Sequence, residues 1–347
     1  MTKLLILALE SSCDETSAAV LEMENGGRII RSNLVASQIA VHRLYGGVVP
    51  EIASRAHIEA ITSLTRDALA EAGCALSDIG AVGVTASPGL IGALLVGVNF
   101  AKSLAYANNI PLVPVNHIRA HVAAALLAHP DLEPPFLALV VSGGHTTIYA
   151  VDDYTDYRLL GGTRDDAAGE AFDKVGRVIG LPYPGGAAMD KLAALGDGTA
   201  VKLPSPALPG DNLDFSFSGL KTAALNYLNG EAQRGTPIAV SPDALEPGRA
   251  ADLAASYTDT IVRAIVKKTG MALKQTGTKT LVLAGGVAAN SHLRAGLETL
   301  CVGRGARLCM PPISLCGDNA AMVGAQAYYE YLAGVRGDTS LNASACD

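Results

Sequence analysis

The sharpest chemical pattern in the sequence is Val115-Asn116-His117-Ile118-Arg119-Ala120-His121. Histidines four positions apart share one face of a helix, so both imidazoles can reach a single metal ion. Ile118 follows the first histidine, so the pattern is not the H-E-x-x-H of zinc peptidases, whose Glu is the base. A third ligand must come from elsewhere in the chain. Asp318 is the candidate, because it stands between the end of an apolar run and the last helix, where a carboxylate also favours a helix N-terminus. Two histidines and one carboxylate with open positions suit iron(II), or zinc in its catalytic form. The competing reading is two histidines without a metal and an aspartate that merely caps a helix.

Three glycine-rich turns come next. Val140-Val141-Ser142-Gly143-Gly144 follows an apolar run directly, so successive backbone N–H groups there can form an anion nest. Ala284-Gly285-Gly286-Val287-Ala288-Ala289-Asn290 precedes a helix whose N-terminus favours negative charge. Pro184-Gly185-Gly186 precedes a helix that carries Asp190. Asp173 and Asp190 are of the type that accepts hydrogen bonds from ribose hydroxyls. Asp14 and Glu15 sit in the first hairpin turn and are candidates for acid–base or electrostatic work. The stretch 214–222 holds two of only five phenylalanines beside hydroxyls and a lysine. It suits a hinge, a stacking contact with nucleic acid, or docking onto the core. Arg263, Lys267, Lys268, Lys274 and Lys279 read as the solvated face of a helix and its end.

These residues need elements to hold them. Leu4–Leu9, Ala18–Met23, 28–35, 79–85 and 112–115 read as strands, with helices over 51–72, 90–107 and 116–128. The order then begins again, with strands at 136–141, 147–151 and 281–284 and a helix after Ala288. Two similar α/β halves of this kind form the duplicated architecture shared by actin, hexokinase and the Hsp70 ATPase: two lobes around a nucleotide cleft. The lobes expected are 1–130 and 131–347, with the last helix able to pack on the first lobe. The longer second interval calls for an insertion at about 196–248, read as a lid or partner surface.

Composition narrows the class. The chain has 347 residues, 49% of them hydrophobic, and a formal charge of −7, which excludes disorder and indiscriminate polyanion binding while leaving room for a local basic patch. Six cysteines include no C-x-x-C pair, so no zinc ribbon is expected. The longest apolar stretch, 90–101, is too short and too broken to span a bilayer, which needs about 20 residues. The first residues read as a strand, not a signal peptide, so no membrane and a cytoplasmic location are expected.

Together the segments ESSCDET at 10–16, PEIASRAH at 50–57, SPGLIGALLVG at 87–97, VNHIRAH at 115–121, VSGGHT at 141–146, DDAAGEAFDKVGRVIGLPYPGG at 165–186, FSFSGLKTA at 215–223, AGGVAAN at 284–290 and CGDNAAM at 316–322 resemble the TsaD family. The resemblance covers essentially the whole chain. It implies transfer of the threonylcarbamoyl group from threonylcarbamoyl-AMP to N6 of the adenosine 3′ of the anticodon, in tRNAs reading codons that begin with A. It implies His117, His121 and Asp318 as ligands of one divalent metal, iron(II) first and zinc second. Val140, Val141, Ser142, Gly143, Gly144, Asp173, Gly186, Asp190 and Asn290 match the family's site for threonylcarbamoyl-AMP. Partner proteins of the TsaB and TsaE kinds are implied as well. Gly317 stands where the family usually has Thr, and Ala187 where Pro usually follows the glycine pair. Two other readings remain at this stage: a metallopeptidase (O-sialoglycoprotein endopeptidase) and a non-catalytic ATP-binding scaffold.

Overall fold

A computed structural model describes residues 3–24, 27–206, 208, 210–235 and 247–346. The chain divides into two compact units. The first comprises Met1–Pro134, Asp153–Asp156 and Met310–Asp347, and the second Pro135–Asp152 and Tyr157–Cys309.

The first unit is built on β1 (Leu4–Glu10), β2 (Glu15–Glu24), β3 (Gly27–Ser37), β4 (Ala81–Ser87) and β5 (Leu112–Asn116), in the order β3-β2-β1-β4-β5. β1 pairs antiparallel with β2 and parallel with β4, and β4 is parallel to β5. Helices cover both faces, which is why β1 is an unbroken apolar run with no alternation. On one face lie α2 (Pro50–Ala72) and α3 (Ile91–Asn108), while the short α1 (Ile39–His42) precedes α2 in the chain. There Leu7, Leu9, Val20, Val82 and Val84 join Ile61, Ala68, Val98 and Ala101 in one buried cluster. The other face receives α4 (His117–Ala128) and, from the far end of the chain, α10 (Ala320–Leu332). Gly324 lets α10 lie against the sheet, since a Cβ there would stand 2.5 Å from Leu21 Cδ1 and 3.2 Å from Ala8 Cβ.

The second unit repeats this plan. Its strands are β6 (Phe136–Val141), β7 (Thr146–Asp153), β8 (Asp156–Gly162), β9 (Thr280–Ala284) and β10 (Arg307–Cys309), in the order β10-β9-β6-β7-β8. Again the first strand is central, antiparallel to the second and parallel to the fourth. β8 has no counterpart among the strands expected from periodicity, because its exposed and half-buried residues DYRLLGG show no alternation.

Between β8 and β9 run α5 (Ala168–Val178), α6 (Gly185–Ala193), α7 (Ser218–Gln233) and α8 (Pro247–Thr276), and α9 (Ser291–Arg304) follows β9. The insertion expected at 196–248 contains α7, and its residues 207, 209 and 236–246 lie outside the described residues. The phenylalanine stretch docks: Phe215 N donates to Gly162 O at 3.0 Å, Arg164 N donates to Phe215 O at 3.0 Å, and Phe215 and Phe217 are buried. Buried rings cannot stack on bases, so the nucleic-acid reading of that stretch falls. Lys268 also departs from the solvated face expected of it. It is buried, and its Nζ donates to Asn212 O at 2.5 Å. Among the described residues, no helix is long and apolar enough to cross a membrane.

Candidate metal centre and glycine-rich turns

Three asparagines set the local geometry, each capping the helix beside a site residue. Asn116 ends β5 and caps α4, its Oδ1 accepting from Ile118 N at 2.9 Å and Arg119 N at 3.1 Å. The cap fixes the start of the first turn, so His117 and His121 rise from one face with ring centroids 4.5 Å apart. At α10 the cap is Asn319, whose Oδ1 accepts from Met322 N at 3.1 Å. Capping was the competing role for Asp318, and Asn319 fills it.

Asp318 Oδ1 lies 3.6 Å from His117 Nε2 and 3.3 Å from His121 Nε2. Ligand atoms of the three residues all fall within 4.8 Å of one another, so the group could hold one metal ion. Ligands at about 2.1 Å from a tetrahedral ion stand about 3.4 Å apart, which this spacing matches. His121 is fully buried, yet neither ring nitrogen has a hydrogen-bond partner among the described residues. A buried polar atom left unpaired costs about 1–3 kcal/mol, and a cation at Nε2 would meet that need. Burial, then the neighbouring charge of His117, holds the His121 pKa below its ordinary value. The neutral imidazole is the form a metal requires. The residues fit a divalent cation.

Behind His117 stands Glu10, fully buried at the end of β1. Its Oε2 is 3.1 Å from His117 Nδ1 and accepts from Thr85 Oγ1 at 2.7 Å, while its Oε1 accepts from Ser12 N at 2.5 Å. Burial alone would raise its pKa, but the charge and hydrogen bond of His117 outweigh that, and the net shift is downward. Glu10 opens the segment ESSCDET, but nothing in its type or spacing gave it a role. The available signal was a carboxylate closing a run otherwise buried on both faces.

Asp14 lies almost buried in the turn after β1, and Glu15 opens β2. Glu15 Oε1 accepts from Ser37 Oγ at 2.8 Å, and Oε2 is buried with no hydrogen-bond partner among the described residues. Burial first, then the charges of Asp14 and Asp318, push the Glu15 pKa up to about 7. Between β1 and Asp14, burial and the Asp14 charge push the Cys13 thiol well above its ordinary range, so it is no thiolate nucleophile.

The remaining site residues belong to the second unit. Val140 and Val141 are buried in β6, Ser142 is buried, and Gly143 and Gly144 are exposed at the turn. Gly285 has φ +92°, and a Cβ there would stand 2.4 Å from Val141 O, so only glycine lets the two turns approach. Asp173 Oδ1 accepts from Gly186 N at 3.0 Å, tying α5 to the start of α6. Asp190 accepts from Ser291 N at 3.1 Å through either oxygen, and Asn290 caps α9 by accepting from Leu293 N at 2.8 Å. Asp165 and Asp166 hold the docked stretch. Asp165 Oδ1 accepts from Phe217 N at 2.8 Å, and Asp166 pairs with Lys174 at 2.9 Å and Lys221 at 3.0 Å.

The repeated five-strand plan places the chain in the actin/hexokinase/Hsp70-like fold class. T. kodakarensis HypF superposes with a TM-score of 0.62 at 14% identity, over 96% of this chain and 48% of that one. Component A of the Acidaminococcus fermentans (R)-2-hydroxyglutaryl-CoA dehydratase gives 0.53 at 14% identity, over 95% and 99%. At such identities the likeness is one of fold alone. The sequence relatives are far nearer. Proteins named tRNA N6-adenosine threonylcarbamoyltransferase match at 51% identity in Clostridium botulinum (strain 657 / Type Ba4) and 52% in Moorella thermoacetica, each over 97% of this chain and at least 95% of the relative. One from Clostridioides difficile matches at 48% over 99% of this chain and 98% of its own length. The profile of the TsaD family, described as tRNA N6-adenosine threonylcarbamoyltransferase, matches residues 29–325. The chain belongs to the TsaD family of transferases.

Proposed function

We propose that this chain transfers the threonylcarbamoyl group of threonylcarbamoyl-AMP to N6 of the adenosine 3′ of the anticodon, in tRNAs reading codons that begin with A. His117, His121 and Asp318 hold one divalent metal, iron(II) or zinc, and the convergence of their ligand atoms within 4.8 Å is the observation that carries this reading. Proteins of the TsaB and TsaE kinds serve as partners, and the cytoplasm is the place of action.

The chemistry asks little of covalent catalysis. A mixed carbamoyl–phosphate anhydride already has a good leaving group, so no protein nucleophile is needed. The adenine N6 amine is a weak nucleophile, so positioning and carbonyl polarisation must lower the barrier. A bound divalent cation supplies the Lewis acid for that polarisation. The exposed amides at Gly143 and Gly144 receive the phosphate of the adenylate, where charge develops as it departs. Asp190 Oδ1 is taken up by Ser291 N and Oγ and by His292 Nδ1 at 3.0 Å, whereas Oδ2 meets only Ser291 N and is the oxygen that would accept a ribose hydroxyl. Asp173, with Val140, Val141, Ser142, Gly186 and Asn290, completes the adenylate site. Glu15, with a pKa of about 7, is the group matched to removing the N6 proton, and Asp14 stands beside it.

The peptidase reading lacks its base, because the position that would carry it is Ile118, a buried apolar residue. The test is mass analysis of tRNA nucleosides after incubation with threonine, bicarbonate, ATP and the companion enzymes, with and without this protein. N6-threonylcarbamoyladenosine only in the complete reaction is expected. Unmodified adenosine in both rejects the assignment.

A further inference from the structure

Glu10 is fully buried, and its carboxylate is closely engaged. Three donors of three different kinds converge on it. A backbone N–H comes from Ser12 at 2.5 Å, a hydroxyl from Thr85 at 2.7 Å, and Nδ1 of His117 approaches to 3.1 Å. They come from the turn after β1, from β4 and from α4, so the carboxylate is held by three separate elements. The Ser12 hydroxyl stands 3.2 Å from the same His117 nitrogen. On the far side of the ring, Nε2 faces Asp318 Oδ1 at 3.6 Å.

This arrangement decides which ring nitrogen carries the proton. A carboxylate accepts hydrogen bonds and cannot donate them, so a hydrogen bond at Nδ1 places the proton there. The lone pair is then left on Nε2, the nitrogen that faces Asp318 and His121. A ligating histidine commonly donates its other N–H to a carboxylate in just this manner, which fixes ring and tautomer and raises ligand basicity. His121 lacks such a partner: its Nδ1 has none among the described residues. Among the described residues, of the two imidazoles only His117 has a carboxylate at its Nδ1.

We infer that Glu10 is a positioning residue of the metal centre, fixing His117 as the Nδ1–H tautomer with Nε2 open to the cation, and that Thr85 and Ser12 in turn hold Glu10. The inference rests on the metal reading proposed above.

The test measures zinc(II) affinity by competition with a chromophoric chelator, together with the melting temperature of the metal-free protein. Glu10→Gln keeps the shape but places an amide among donors. Whichever way the amide turns, it presents N–H to Ser12 N or to His117 Nδ1, and the second choice drives the ring proton onto Nε2. The expected result is a loss of about 10–100-fold in zinc affinity. Thr85→Val removes one of the hydrogen bonds to Glu10 and is expected to weaken zinc by a smaller factor, so it decides the matter if Glu10→Gln does not fold. Long-range ¹H–¹⁵N spectra of the metal-free wild type should show His117 protonated at Nδ1 and bare at Nε2, with that preference lost in Glu10→Gln. Zinc affinity within twofold of wild type in the folded variants overturns the inference, even where the melting temperature falls, because Glu10 would then be only structural. His117 protonated at Nε2 in the wild type overturns it as well. Failure of the wild type to bind zinc, iron(II) or cobalt(II) would instead sink the metal reading, and the ring spectra would still judge Glu10.

Discussion

His57 bridges the two ends of the loop that carries Asp14 and Glu15. Its Nε2 is 3.0 Å from the Cys13 carbonyl oxygen and its Nδ1 is 2.7 Å from Thr16 Oγ1. A neutral ring satisfies both, donating to the carbonyl from Nε2 and accepting the threonine hydroxyl at Nδ1. The residue is fully buried, and burial holds its pKa below the ordinary 6.5. His57→Leu would leave the carbonyl and the hydroxyl unpaired in the interior, and a loss of about 1–3 kcal/mol in urea unfolding is expected. The pH dependence has a definite sign. Above pH 6.5 the ring is neutral in both states and costs nothing. Below it the unfolded chain takes up the proton more readily, so stability falls as pH falls. Wild type should lose more stability than His57→Leu between pH 7 and pH 5.5; equal losses would show that His57 is not the group concerned.

His121 sets up the opposite trade. Among the described residues neither buried ring nitrogen has a hydrogen-bond partner, and Nε2 meets only the Asp318 carboxylate at 3.3 Å, so the metal-free fold carries a cost that a bound cation would relieve. Leucine has a similar volume and no polar atoms. In the metal-free state His121→Leu should therefore be more stable than wild type by about 1–3 kcal/mol, while metal content falls from one per chain to none and tRNA modification is lost. Calorimetry and elemental analysis on the same samples decide this. A variant that keeps its metal, or melts lower than metal-free wild type, contradicts the geometry.

How much of this could be read in the sequence depends on the range of the interactions. The histidine pair was legible because helix periodicity alone places residues 117 and 121 on one face. The doubled α/β plan was legible because strands covered on both faces become unbroken apolar runs, as in β1, β6 and β9. Asp318 was legible only by its place before a helix, and the same place suited a cap until Asn319 proved to fill that role. Glu10 was not legible, since its partner His117 is distant in sequence and strand pairing with tertiary packing brings them together. Lys268 was hidden for a related reason. Its neighbour Lys267 is basic and exposed, whereas its own Nζ is taken up by Asn212. β8, an exposed edge without alternation, left periodicity nothing to detect.

Gly317 directly precedes Asp318, one of the three residues proposed to hold the metal. Its φ lies outside the left-handed region, and a Cβ there would meet nothing within 4 Å. The glycine thus gains nothing in the folded state and adds freedom to the unfolded chain. Gly317→Ala should stabilise the protein by about 0.4–1 kcal/mol, seen as a higher denaturation midpoint with an unchanged slope. A lower midpoint would mean that the loop before α10 needs a backbone state alanine resists.

Glu15 supplies a pH signature for catalysis. With a pKa of about 7 it is half protonated near neutrality, and only the ionised form can accept a proton from the adenine amine. For wild type, kcat/KM should therefore rise with pH through about 7. Glu15→Gln should lower kcat by about 10²–10⁴-fold and remove that rising limb. The same shift has a consequence for stability. Because the folded state holds the proton more tightly than the unfolded chain, whose carboxyl titrates near 4.5, wild type loses stability as pH rises from 4.5 towards 7. Glu15→Gln cannot follow that decline, so the stability gap between variant and wild type should shift in the variant's favour between pH 5 and pH 8. A rate profile unchanged by the substitution would remove Glu15 from the chemistry, whatever the stability measurements show.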